Sequence, residues 1–191
     1  MATALQIRST VKSDGMLEVR LADFEIPVPG VDDVLIRIDA TPINPSDLGT
    51  LLASADVSAA HNEIRDGRAI LCAPIPAALR PPLVARVDIP LAVGNEGAGL
   101  VVAAGQSAAA QALLGKNVAV MAGGMYAQYR CVPAATCLLL PADIPARDGA
   151  SCFVNPLTAV GMVETMKLEG HSALVHTAAA SNLGQMLLRL C

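Results

Sequence analysis

The chain has 191 residues, of which 53% are hydrophobic and 2% aromatic. It can fill one sizeable core from Ala, Val, Leu, Ile and Met rather than from rings, and its length predicts one domain plus part of another. A net charge of -4, with acidic and basic residues mixed and no basic run, argues against a nucleic-acid partner.

Apolar stretches break at Pro, Gly, Asp or Arg well before the roughly 18 residues that a membrane-spanning helix needs, and Met1 to Thr10 lacks a basic segment followed by a long apolar run. The expectations are no membrane partner and a cytoplasmic location. The five cysteines, Cys72, Cys131, Cys137, Cys152 and Cys191, are scattered without close pairs and read as reduced, mostly buried thiols.

In chain order, strands are expected at Ala4 to Ile7, Leu17 to Leu21 and Val34 to Ala40, where apolar and polar residues alternate. Pro42 and Pro45 then predict a loop that continues neither sheet nor helix. From Leu51 to Pro90 the pattern is irregular and proline-rich, with a short helix expected near Leu51 to Ala60, and reads as an inserted lobe. Further short strands are expected at Gly99 to Ala104, Asn117 to Ala122, Ala127 to Val132 and Cys137 to Leu140, together suggesting a partly open β-barrel over 1–145.

After Pro141 the apolar period moves from two to about 3.6. Asp148 is expected to cap a short helix, and Pro156 to open a longer one through Met166 that Gly170 stops. Ser172 to His176 reads as an apolar strand. A small-residue turn, Thr177 to Gly184, and a helix with Leu183, Met186, Leu187 and Leu190 on one side follow it. This is the pattern of a first β-turn-α unit of a doubly wound sheet over 146–191, and the overall class is mixed α+β and α/β.

In the turn Ala179-x-Ser181-x-x-Gly184 small residues occupy the three positions of a dinucleotide fingerprint, although only the last is glycine. Small side chains let the backbone approach a pyrophosphate and let the helix N-terminus direct free N–H groups at it. An ordinary alanine-rich turn has the same composition. His61, His171 and His176 form no ligand cluster by spacing, so no metal is expected.

Taken with Pro42-Ile-Asn-Pro-Ser-Asp47, Gly94-Asn-Glu-Gly-Ala-Gly99 and Asn155-Pro-Leu-Thr-Ala159, this turn resembles the medium-chain dehydrogenase/reductase superfamily, in its quinone oxidoreductase and enoyl thioester reductase branches. The resemblance covers nearly all of the chain except 51–90. It implies a GroES-like barrel followed by the start of a truncated Rossmann domain, with substrate and nicotinamide meeting between them. It also implies NADPH in preference to NADH, hydride reduction of a quinone, enone or enoyl thioester, a small-molecule substrate, and a homodimer as the assembly open to a full-length parent. The 191 residues alone are expected to be inactive.

By the same resemblance, Asn44, Asn155 and Thr158 face the nicotinamide, Asn44 being also a candidate hydrogen-bond donor in catalysis. Ala180, Ser181, Asn182, Leu183 and Gly184 form the phosphate turn. Zinc alcohol dehydrogenases of the superfamily carry histidine where Asn95 stands and cysteine within Thr41 to Asp47, so the resemblance implies zinc-free chemistry. The rival readings are a zinc-type alcohol dehydrogenase relative and a non-catalytic cofactor-binding module. Asn44, Asp47 and Asn155 also have local readings, as turn or helix-cap residues beside proline. The catalytic tyrosine of enoyl thioester reductases is absent between Thr41 and Tyr126. Tyr126 and Tyr129 read as packing residues, and neither is assigned as the acid.

Overall fold

A computed structural model describes residues 2–191 and divides after Ala150 into two units. The first unit holds two five-stranded antiparallel sheets. One is built from β1 (Thr3–Val11), β2 (Met16–Glu25), β4 (His61–Arg65), β5 (Arg68–Pro74) and β6 (Leu91–Ala92), in the order β4-β5-β2-β1-β6. The other contains β3 (Asp33–Ala40), β7 (Glu96–Ala104), β8 (Asn117–Met121), β9 (Tyr129–Pro133) and β10 (Leu138–Leu139), in the order β10-β8-β7-β3-β9. The sheets meet where Gln6 bridges Ala127 and where Ile7 N–H donates to the Tyr126 carbonyl at 2.8 Å, so the barrel is partly open.

Alternating residues on β3, β7 and β8 enclose an aliphatic core of Val34, Ile36, Val101, Val118, Val120 and Met125. A second core joins Val11, Leu17, Ala53 and Ile75. Both cores lack aromatic rings, as the composition requires.

The 51–90 segment, read as an irregular inserted lobe, is not irregular throughout. Its strands β4 and β5 extend the first sheet, β5 pairing β2 from Met16↔Pro74 to Arg20↔Ile70 and turning into β4 through Asp66 and Gly67, both at positive φ. The helix expected near 51–60 lies earlier, as α1 (Pro45–Leu52). Pro45 does not exclude a helix, because at the first helical position its missing N–H is needed by no intrahelical bond. Ala53 and Ser54 end α1 in left-handed geometry, and only a short 3-10 turn follows at Val57–Ala59. Asp148 does not cap: Pro145 precedes α3 (Ala146–Gly149), with Asp148 inside its first turn. A helix unmarked by the sequence reading, α2 (Ala108–Leu113), is capped by Ser107 Oγ, which accepts from Ala110 N–H at 3.3 Å.

The second unit contains α4 (Val154–Leu168), ended by Glu169 and Gly170, and α5 (Asn182–Leu190). The strand expected at Ser172 to His176 is not formed: no described strand pairs with it, and an extended segment without a ladder leaves its backbone to solvent, with Val175 90% exposed. The α5 stripe packs on α4, where Ala159, Val163 and Leu187 form a core with Leu183 and Met186 against it. Leu190 remains half exposed. Among the described residues no helix is long and apolar enough to cross a membrane.

Candidate functional site

The end of β3, the start of α1 and the start of β7 come together through close backbone contacts. A Cβ at Gly97 would press on Thr41 Cγ2 at 2.7 Å and the Ala40 carbonyl at 3.0 Å, and one at Gly99 would collide with the Arg37 carbonyl. The glycines of Gly94-Asn-Glu-Gly-Ala-Gly99 therefore do packing work, letting β7 seat against β3. Gly94 takes φ +94°, and its missing side chain leaves room for the Tyr126 ring.

This seating buries a polar cluster. Asp47 is 1% exposed, and its carboxylate accepts from Asn44 N–H at 2.7 Å and Asn95 N–H at 2.8 Å, tying α1 to the loop before β7. Glu96, fully buried, accepts from Asn44 Nδ2 at 2.9 Å. Asn95 Nδ2 donates to Ser46 Oγ at 3.0 Å. Buried carboxylates persist only where such donors replace water. Asn44 and Asp47 are thus helix-start and cross-loop residues, not members of an open turn.

Beside this cluster lies a cavity of about 550 Å³, lined mostly by apolar side chains including Leu5, Ile7, Leu21, Ile38, Ile43 and Met125. Asn44 is not on its wall, whereas Tyr126 is. The Tyr126 hydroxyl donates to the Pro42 carbonyl at 3.0 Å. Burial first, then the neighbouring Asp47 carboxylate, push this phenol well above the ordinary tyrosine range, so it stays neutral. The sequence reading assigned Tyr126 to packing. The paired signal was Gly94, a glycine whose space one tyrosine ring fills.

The other expected site residues belong to the second unit. Asn155 lies in the first turn of α4, one residue inside the helix after its cap position, Phe153. The capping reading of Asn155 is therefore corrected. Thr158 is exposed and donates from Oγ1 to the Val154 carbonyl at 2.6 Å. Ser181 caps α5: its Oγ accepts from Gly184 N–H at 3.1 Å and donates to the Ala178 carbonyl at 2.7 Å. The first-turn amides of Asn182 and Leu183 have no i-4 carbonyl within the helix to bond, as at any helix start. A Cβ at Gly184 would stand 2.5 Å from the Ala179 carbonyl and 2.6 Å from that of Ala178, so this position requires glycine for the turn to fold back on the helix. Ala180, Ser181 and Asn182 are exposed, and Leu183 is half-buried.

The alcohol dehydrogenase GroES-like domain model matches residues 30–142. The chain belongs to this family. It shares 34% identity over 170 residues with mouse (Mus musculus) prostaglandin reductase-3, covering 88% of this chain and 37% of that protein. Mouse mitochondrial enoyl-[acyl-carrier-protein] reductase is 28% identical over 174 residues, 90% of this chain and 39% of its own length. A solved structure of a candidate NADPH:quinone reductase from Mesorhizobium loti superposes with a TM-score of 0.65 at 28% identity, covering 98% of this chain and 50% of that one. The chain thus spans between a third and a half of the length of these relatives. The matches place it in the medium-chain dehydrogenase/reductase superfamily, beside the quinone, enoyl and prostaglandin reductases.

At Asn95, where the resemblance to zinc alcohol dehydrogenases implies a histidine, the side-chain amide is engaged by Ser46, and the 41–47 loop offers Asp47 already bonded to two backbone amides. Strand pairing, which linear spacing does not reveal, brings His61 together with Glu63 and Cys72.

Proposed function

We propose that this chain supplies the substrate-binding barrel and the opening phosphate turn of an NADPH-dependent, zinc-free reductase of activated C=C bonds in quinones, enones or enoyl thioesters. The observation that carries the reading is the Asn44–Asp47–Asn95–Glu96 cluster. It fills the loop pair used for metal in zinc dehydrogenases with amides and carboxylates already committed to one another. The same substitution of donors weighs against the zinc-type alternative. The preference for NADPH rests on the similarity to the Mesorhizobium loti protein, which is named an NADPH:quinone reductase.

The phosphate turn fits a dinucleotide through Gly184, whose position a Cβ would fill, and through the first-turn amides of Asn182 and Leu183, which would meet pyrophosphate oxygen. Ala180 and Ser181 are small enough to let the backbone approach. Asn155 and Thr158 would hydrogen-bond the nicotinamide ribose or amide. When bound, the nicotinamide supplies a hydride to the β-carbon. The apolar cavity walls hold the unsaturated substrate and exclude water, and the neutral Tyr126 hydroxyl, on turning its one hydrogen away from the Pro42 carbonyl, would offer a hydrogen bond to the developing oxygen anion. Asn44, off the cavity wall, would act as a positioning residue by holding Asp47 beside Tyr126, and water returns the proton to the α-carbon. The setting proposed is cytoplasmic, and the partner the reading requires is a small molecule.

In the 191-residue chain, the second unit has two helices and, among the described residues, no paired strand. Dinucleotide sites are held by sheet strands beside the turn, so the chain by itself is expected to bind NADPH weakly. The test uses a chimera that continues residues 1–191 with the matching remainder of mouse prostaglandin reductase-3. Asn155→Ala and Thr158→Ala should each weaken NADPH binding by roughly 0.5–1.5 kcal/mol, the size of a lost hydrogen bond. Unchanged affinity in both folded variants would remove these residues from the site. Micromolar NADPH binding by the chain alone would show that sheet strands beside the turn are dispensable.

A further inference from the structure

The edge of the first sheet gathers a set of donor atoms that the proposed reduction does not use. In the β4–β5 ladder His61 stands directly opposite Cys72, so their side chains share one face, and Glu63, two residues along β4, lies on that same face. One ligand atom from each of His61, Glu63 and Cys72 lies within 4.8 Å of the other two. On the other side of β5, Glu18 of β2 pairs with Cys72, completing a row of Glu18, Cys72 and His61 across three strands.

We propose that this face is a binding site for a zinc-class divalent cation, with His61, Glu63 and Cys72 as protein ligands. Imidazole, thiolate and carboxylate together are a borderline-to-soft donor set, suited to Zn²⁺ rather than to Ca²⁺ or Mg²⁺, which take oxygen. Metal–ligand bonds of about 2.0–2.3 Å would draw tetrahedral donors to under roughly 4 Å from one another, so the site closes by about 1 Å. His61 and Glu63 are about half exposed and can make that movement by changing rotamer, while Cys72, 3% exposed, is the fixed anchor. Water or Glu18 completes the fourth position.

Arg65 straddles this cluster, donating to Glu18 at 3.0 Å and to Glu63 at 2.9 Å, so its guanidinium competes with the metal for these carboxylates and, being half exposed, swings out to solvent when the ion binds. Both ligand strands belong to one hairpin at the sheet edge, where all five residues of β4 are exposed. A bound ion would staple β4 to β5, a structural role remote from the 41–47 loop of the zinc dehydrogenases.

The test titrates Zn²⁺, and Co²⁺ as its spectroscopic substitute, into the reduced, metal-free 191-residue chain. The background has Cys131, Cys137, Cys152 and Cys191 changed to serine, leaving Cys72 as the only thiol. One equivalent should bind with a dissociation constant of about 1 μM or tighter, and Co²⁺ should give a thiolate-to-metal charge-transfer band with the absorption of a tetrahedral site. His61→Ala and Cys72→Ser should each weaken binding more than about 100-fold, beyond the 10–100-fold typical of residues that only support a ligand. If Cys72→Ser perturbs folding, as circular dichroism would show, the exposed His61→Ala decides alone. Absence of stoichiometric binding, absence of the thiolate band, or wild-type affinity in His61→Ala would overturn the site.

Discussion

Replacing Asp47 by alanine tests the polar cluster at its centre. The carboxylate accepts two backbone N–H groups, from Asn44 and Asn95, at 2.7 and 2.8 Å, in surroundings that leave Asp47 1% exposed. Hydrogen bonds to a charged group contribute about 1.5–3 kcal/mol each, so two give roughly 3–6 kcal/mol before allowance for non-additivity. Partial entry of water into the space left behind lowers the expected loss to about 3–5 kcal/mol, a large share of a typical domain stability of roughly 5–15 kcal/mol. Asp47→Asn keeps one acceptor but sets an NH₂ against a backbone N–H, so it should lose at least half as much. Urea unfolding followed by tyrosine fluorescence reads this out cleanly, because the chain has no tryptophan and its two tyrosines, Tyr126 and Tyr129, both lie in the first unit. With a slope of about 2 kcal/mol per molar urea, the midpoint should fall by about 1.5–2.5 M at unchanged slope. A loss under about 1 kcal/mol would mean that the carboxylate does not clamp α1 to β7, and the reasoning about the cluster would fail.

Three further outcomes are expected. In a Tyr129→Phe chain, tyrosinate absorbance should appear only well above the ordinary range near pH 10, since Tyr126 is pushed up by burial and by Asp47; the stability tied to its proton is present below that range and is lost as pH rises beyond it, and ordinary titration would contradict the buried phenol. Ser181→Ala should cost α5 about 1 kcal/mol through the lost cap, read as roughly fivefold faster hydrogen exchange of the α5 amides, whereas unchanged protection would refute the capping assignment. Alkylation at pH 8 should modify the exposed Cys191 before Cys137, whose thiol is pushed up to about 11 by burial, so its contribution to stability fades as pH climbs toward that value; equal rates would show that Cys137 is not shielded.

The elements with strong local signals were legible. Alternation marked β1, β2 and β3, and the 3.6-residue period with Gly170 marked α4. Asp66-Gly67 is the strongest hairpin dipeptide, yet it lay inside a proline-rich stretch read as irregular; its positive-φ turn is what folds β4 onto β5. Pro45 was read by its inability to continue a helix rather than by its suitability to begin one. The segment 172–176 shows the opposite limit, since an apolar run specifies a strand only where a partner supplies the ladder.

Among the site residues, the Asn-Pro-Ser-Asp and Gly-Asn-Glu segments were readable as motifs, but their meeting depends on Gly97 and Gly99 admitting β7 beside β3. Tyr126 reaches the cavity through a turn far from those motifs in sequence, and His61 meets Cys72 only through cross-strand register. Such juxtapositions carry no local periodicity, and only the fold reveals them.

The most direct test of the proposed activity is NADPH oxidation by the chimera of residues 1–191 with the remainder of mouse prostaglandin reductase-3, across a quinone, an enone and an enoyl thioester, before and after treatment with a zinc chelator. The account predicts turnover with NADPH on at least one of these acceptors, at a rate the chelator leaves unchanged even if it strips an ion from the β4–β5 hairpin. Turnover that disappears on chelation and returns with zinc, or activity confined to alcohol oxidation, would contradict it.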